Sequence, residues 1–157
     1  MTHRTEVAID LAETMQYIHN PGIIWGEVFA RDILDLHVKL YDFAGSSLLE
    51  EYPELLFSYE PRYWVPGSDE NVPAKGTLAM ELFAPGTAIC NFIEWAVPYG
   101  LMEIEEFQQK LMDGEYPLVS EINPVQETIQ RLWQFEYGSA KESCRCFEVD
   151  LRRLKQL

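Results

Sequence analysis

Apolar residues return at helical spacing through much of the chain. Val7, Leu11, Met15 and Ile18 follow at intervals of four, four and three, which places them on one helical face. Thr5 can cap the start of this helix. Asn20-Pro21-Gly22 closes it, because proline cannot continue a helix and Asn or Gly takes the left-handed exit. Phe29, Ile33, Leu36, Leu40 and Phe43 form a second stripe, which predicts a helix from Trp25 to Phe43. Leu36, Val38 and Leu40 also alternate with His37, Lys39 and Tyr41, so a strand over 34–43 is the other reading of the same residues.

Ala44-Gly45-Ser46 breaks the pattern, and Ser47 with Glu50 three places on has the form of a capping box for a short helix limited by Pro53. Residues 58–76 are irregular, with Pro61, Pro66, Gly67 and Pro73. Leu55–Val65 and Thr77–Ala84 could pair across them as a small β-hairpin. Pro85-Gly86-Thr87 reads as punctuation before a helix through Ile89, Phe92, Ile93 and Ala96, whose nearly all-apolar composition marks a central buried element. Ile104, Phe107 and Leu111 make the next stripe, ending at Gly114. Asn123-Pro124 opens a helix through Val125, Ile129 and Leu132 that ends at Gly138. Ser139 and Glu142 then cap a last one through Ala140, Cys144, Phe147, Leu151 and Leu154. Helix starts are thus expected near Glu6, Gly26, Thr87, Met102, Pro124 and Ala140. The predicted fold is mainly α, a single-domain helical bundle over residues 1–157 with a C-terminal αα-hairpin and room for one small β-hairpin; α+β is the alternative.

Composition adds a sign to this picture. Twelve basic residues against twenty-six acidic ones give a net charge of −14. The excess is concentrated in residues 46–122, which hold fourteen acidic and three basic side chains. Such a surface repels nucleic-acid phosphates and anionic lipid heads and attracts basic proteins. Direct binding to DNA or RNA and to membranes is therefore not expected. The first ten residues lack the apolar stretch of a signal peptide, and three cysteines do not make a disulfide framework, so a cytoplasmic location is expected.

Candidate chemistry is sparse. His3, His19 and His37 fall in no metal-ligand pattern and read as surface histidines. Cys144 and Cys146 are two apart, so in a helix their side chains point about 200° away from each other and cannot share an ion. Cys144 falls on the apolar stripe, and Cys146 off it. The carboxylate clusters read as solvated helix faces. No phosphate-binding glycine loop, nucleophile elbow or kinase signature occurs, so neither catalytic nor metal-ligating residues nor a cofactor are assigned.

The segment Ser58–Pro66 differs in kind. Tyr59, Arg62, Tyr63 and Trp64 have the composition of an interface hot spot, and Asp69 and Glu70 supply charge beside them. The same rings could instead cover an edge of the core. The function expected is that of a non-catalytic acidic binding protein, of the inhibitor, antidote or adaptor type. It would dock on a basic protein partner such as a nucleic-acid-processing protein. A self-associating scaffold subunit, and a ligand binder or enzyme using carboxylates, are the alternatives.

Overall fold

A computed structural model describes residues 2–26, 38–40, 43, 46–48, 60–67 and 77–154. Five α-helices occur among them: α1 (Thr2–His19), α2 (Leu78–Glu94), α3 (Ile104–Met112), α4 (Gln126–Trp133) and α5 (Ala140–Leu154). The described strands, β1 (Ile23–Ile24) and β2 (Ser47–Leu48), form one short antiparallel ladder with Ile23 opposite Leu48. A 3₁₀ turn covers Pro61–Tyr63. The expected mainly α fold is what the chain adopts. None of the described helices is long and apolar enough to cross a membrane.

The helices pack in two main pairs, α1 with α5 and α2 with α4, joined by contacts of α1 with α2 and of α4 with α5. The α1 face is set by Ala8, Leu11, Ala12, Met15 and Ile18, all buried. Ala140, Cys144 and Phe147 are buried on α5. Small side chains on both faces let the two helices approach closely. The C-terminal pairing of α4 with α5 is fixed by a buried hydrogen bond, in which the Thr128 hydroxyl donates to Asp150 Oδ2 at 2.7 Å.

The largest departure from the sequence reading is at α2. It begins at Leu78, with Thr77 capping the Met80 amide through Oγ1, and it runs through Pro85-Gly86-Thr87 without stopping. Residues 78–84 are therefore helix and not one arm of a hairpin, and the ladder among the described residues joins β1 to β2. Proline inside a helix loses one backbone hydrogen bond and costs about 3 kcal/mol. Burial of every residue from Met80 to Cys90 offsets that loss. Gly86 has a packing role: a Cβ there would lie 3.1 Å from Leu132 Cβ and 3.2 Å from Trp133 Nε1. The glycine marks where α2 and α4 cross, and the Trp133 indole donates to the Thr87 hydroxyl beside it at 3.1 Å.

Smaller differences have local causes. Ser47 lies in β2, opposite Ile24. Asn123 accepts from the Val125 amide at 3.1 Å, and α4 starts two residues after Pro124. It closes before Gly138, at Phe135, which takes the left-handed conformation at φ 57°. The Phe135 and Glu136 amides bond back to Leu132 and Arg131, and the Phe135 ring stacks on Phe83 at 5.7 Å. Gly114 closes α3 in the same way, as expected. The capping contact of Ser139 with the Glu142 amide is present, with Glu142 accepting in turn from the Gly138 amide. The helix-or-strand alternatives over 25–43 and the helix after Ser47 fall mostly outside the described residues.

Beneath these elements sits a wholly buried carboxylate. Glu81, on the inward face of α2, accepts from the Trp25 amide at 2.8 Å and from the Gly26 amide at 3.1 Å. Gly26 has φ 85°, and that left-handed turn aims two successive amides at one anion. His19 lies 3.6 Å from Glu81, its side chain only 7% exposed, so it is enclosed and not a surface histidine. The reversal after α1 folds the helix end back against α2 and encloses the ring. No local pattern announces this.

Candidate functional site

An open cleft of about 520 Å³ lies where α2 ends, lined by the α2 residues Cys90 and Glu94, by residues 96–99 and Met102, by Lys110 of α3, and by residues 116–118. Its front is the turn between α2 and α3. There Trp95 and Tyr99 take left-handed conformations at φ 55° and 63°, followed by Gly100 at 59°. Such a conformation costs a non-glycine residue about 1–2 kcal/mol, so two in five residues must be held by their surroundings.

The holding contacts are visible. Arg62 donates to the Pro98 carbonyl from Nε and to the Gly100 carbonyl from Nη2, each at 3.2 Å. Its guanidinium also lies 4.7 Å from the centre of the Phe107 ring. Tyr99 stacks on Phe107 at 5.7 Å and donates its hydroxyl to the Glu115 carbonyl. On the other side Arg4 donates to the Ile93 carbonyl at 3.2 Å, placing a cation at the α2 C-terminus, and covers the Trp95 ring at 4.7 Å. Glu94 accepts from Asn123 Nδ2 at 2.5 Å and from the Ser120 amide at 3.3 Å, which ties the segment after α3 to the end of α2.

What this scaffold displays is apolar. Trp95 is 76% exposed, Leu101 fully exposed, Leu118 98% and Ile122 78%, with Val97 half-exposed among them. Val97 and Leu118 belong to the lining, Trp95 and Leu101 adjoin it in the chain, and Ile122 lies between Ser120 and Asn123, both bonded to Glu94. Around them are Glu103, Glu105, Glu106, Asp113, Glu115 and Glu121, all exposed. Lys110, the one basic residue between 94 and 122, is already paired with Glu115 at 2.6 Å. No family model and no curated protein matches this chain. The reading of the cleft therefore rests on its own chemistry.

That chemistry is quiet at neutral pH. Burial and the neighbouring Glu94 push the Cys90 thiol up to about 12, so it stays protonated. Burial pushes Tyr99 and Tyr116 above the usual tyrosine value. Lys110 is held in its charged form by Glu115. The cleft thus presents neutral hydroxyls, a neutral thiol and a paired ammonium beside the Glu94 carboxyl.

The residues singled out from sequence are divided by the structure. Tyr63 is 3% exposed and belongs to the core, and Trp64 is half-buried against it. Arg62 braces the 98–100 turn. Tyr59, Asp69 and Glu70 lie outside the described residues. Arg62 thus links the aromatic segment physically to the cleft. The cleft itself was missed, although its acidic surroundings lie in the charged segment picked out from sequence.

One further group forms only in three dimensions. Glu13 of α1 with Cys144 and Glu148 of α5 bring their ligand atoms within 4.8 Å of one another. The Cys144 thiol is pushed up by burial and by both carboxylates, so the trio holds its proton rather than offering a ready thiolate. Sequence could not show it, because Glu13 lies on a different helix.

Proposed function

We propose that the protein is a non-catalytic binding protein, of the inhibitor, antidote or adaptor type, that receives a basic protein partner at the cleft formed by the end of α2. A partner that itself handles nucleic acid is the kind of basic protein this surface suits. The observation that carries the proposal is the pairing of a strained, exposed Trp95 and its apolar neighbours with an acidic surround. Exposed aromatic and aliphatic groups supply most of the affinity of such interfaces, and the charge around them speeds encounter. Trp64 would extend the apolar surface from the side of the cleft, with Arg62 holding the two together. Three unbridged cysteines suit a reducing compartment, so the cytoplasm is our proposal for its location.

Self-association through the same apolar residues is the competing reading. It would bring two acidic rims together, a repulsion that basic partners do not meet. Salt separates the two: added salt weakens docking of a basic partner and strengthens pairing of two acidic copies.

The test is capture of partners on the immobilised protein with elution by a salt gradient, followed by kinetics on the partner recovered. Trp95→Ala should weaken binding by about 2 kcal/mol or more, roughly 30-fold, mainly through faster dissociation. Reversing Glu105 and Glu106 to Lys should slow association and flatten its salt dependence while leaving dissociation little changed. Binding that survives Trp95→Ala intact, or sedimentation showing a dimer that tightens with salt, would refute the proposal.

A further inference from the structure

A second, smaller pocket of about 200 Å³ lies between α4 and α5, lined by Glu127, Thr128, Arg131, Cys146, Val149 and Asp150. Cys146 is the half-exposed thiol of the three, while Cys90 and Cys144 are buried. Arg131 Nη1 points at Cys146 Sγ from 3.8 Å. The same guanidinium lies 4.4 Å from the centre of the Tyr137 ring and donates through Nε to Glu136 at 3.0 Å. Tyr137 is only 4% exposed, yet its hydroxyl has no hydrogen-bond partner. The Cys146 thiol and Thr128 are its polar neighbours. A buried hydroxyl left unpaired costs about 1–3 kcal/mol, so a fold that keeps one beside a reachable thiol leaves a donor waiting for an acceptor.

We propose that Cys146 is a site of oxidation by hydrogen peroxide, and that Arg131 and Tyr137 hold the sulfenic acid it forms. In the reaction the sulfur attacks one peroxide oxygen. An S–O bond forms, the O–O bond breaks, and sulfur gives up two electrons. The departing hydroxide takes up the proton shed by the thiol and leaves as water. Arg131 faces the negative charge that moves during this step, and the added oxygen gives the Tyr137 hydroxyl the acceptor it lacks.

Two features select the oxidant and the product. The pocket is small, and Glu127 and Asp150 line it, so a small neutral oxidant enters more readily than an anionic one such as glutathione disulfide. Cys144 cannot resolve the product into a disulfide, because residues two apart on a helix point about 200° away from each other and Cys144 is buried. The sulfenic acid should therefore persist long enough to be trapped.

The experiment treats the full reduced chain with hydrogen peroxide in the presence of dimedone and maps the adducts by peptide mass spectrometry. Cys146 should be labelled at least roughly tenfold faster than Cys90 or Cys144, as its access dictates. Glutathione disulfide should modify it several-fold more slowly than peroxide does. Tyr137→Phe keeps the ring under Arg131 and removes the hydroxyl; the trapped species should become several-fold shorter-lived, with more sulfinic acid formed. Arg131→Gln, which removes the cation facing Cys146, should slow formation several-fold. Labelling of Cys146 no faster than of the buried thiols would overturn the proposal. So would equal reaction with glutathione disulfide, or an unchanged rate and lifetime in variants that melt like the parent.

Discussion

Replacing Gly86 with alanine tests the crossing of α2 and α4 most directly. In an open helix this change stabilises by about 1 kcal/mol, because alanine loses less backbone freedom on folding. Here the new methyl would stand 3.1 Å from Leu132 Cβ, 3.2 Å from Trp133 Nε1 and 3.3 Å from Trp133 Cδ1. Neither neighbour can yield easily. Leu132 and Trp133 are fully buried, the Trp133 indole is tied to Thr87, and its ring stacks on Tyr116 at 5.9 Å. Overpacking of this kind costs about 1–3 kcal/mol, and pushing the indole off Thr87 forfeits about 1 kcal/mol more. The net expectation is a loss of about 2 kcal/mol, or roughly 4–8 °C in melting temperature for a chain of this size. Urea unfolding followed by circular dichroism measures it. Trp133→Phe supplies the control, because it removes the indole atoms nearest the new methyl. In that background Gly86→Ala should cost about 1 kcal/mol less, a coupling that a double-mutant cycle reads. A variant that gains about 1 kcal/mol, as alanine does in an open helix, would show that the two helices do not touch at this glycine.

Glu81→Gln should lower stability by about 1–3 kcal/mol, since one of the two backbone amides it serves loses its acceptor; an unchanged urea midpoint would mean that the carboxylate does not bind both. Tyr99, Tyr116 and Tyr137 are all pushed up, mainly by burial, so their contribution to stability is full below the ordinary tyrosine pKa of about 10. That contribution should fade as pH rises from there toward the higher folded values. An ultraviolet titration should then show at least three of the eight tyrosines ionising late, together with loss of structure. Iodide should quench Trp95 well before Trp25 and Trp133, and a Trp95→Phe variant should lose most of that early quenching.

The surface-facing helices were legible because each has two faces and a marked end. α3 and α5 combine an apolar stripe with Gly114 at one end and Ser139 at the other, and the structure keeps both features. α2 was not legible. Buried on all sides over Met80–Cys90, it loses the alternation that locates a helix, and its Pro85-Gly86 looks locally like a turn. What keeps it helical is packing from Leu132 and Trp133, far along the chain, which no local window contains. His19 was misplaced for a related reason, since its enclosure depends on Glu81. The acidity of the cleft could be read as net charge in residues 46–122. Its apolar rim could not, because Trp95 and Leu101 come from the connection between α2 and α3 and Leu118 and Ile122 from that between α3 and α4, and the two meet only once Arg62, Glu94 and Tyr99 make their ties.

The pairing of α1 with α5 has a consequence for synthesis. The buried face of α1 is finished within the first twenty residues, but its main partner begins at Ala140. At about 5–20 residues per second, the ribosome leaves that stripe without its cover for on the order of 10 s. During that interval Leu11, Met15 and Ile18 form an apolar strip open to chaperones and to neighbouring nascent chains. Substitutions that weaken α5 should therefore reduce the yield of folded protein in the cell more than they lower its melting temperature once folded.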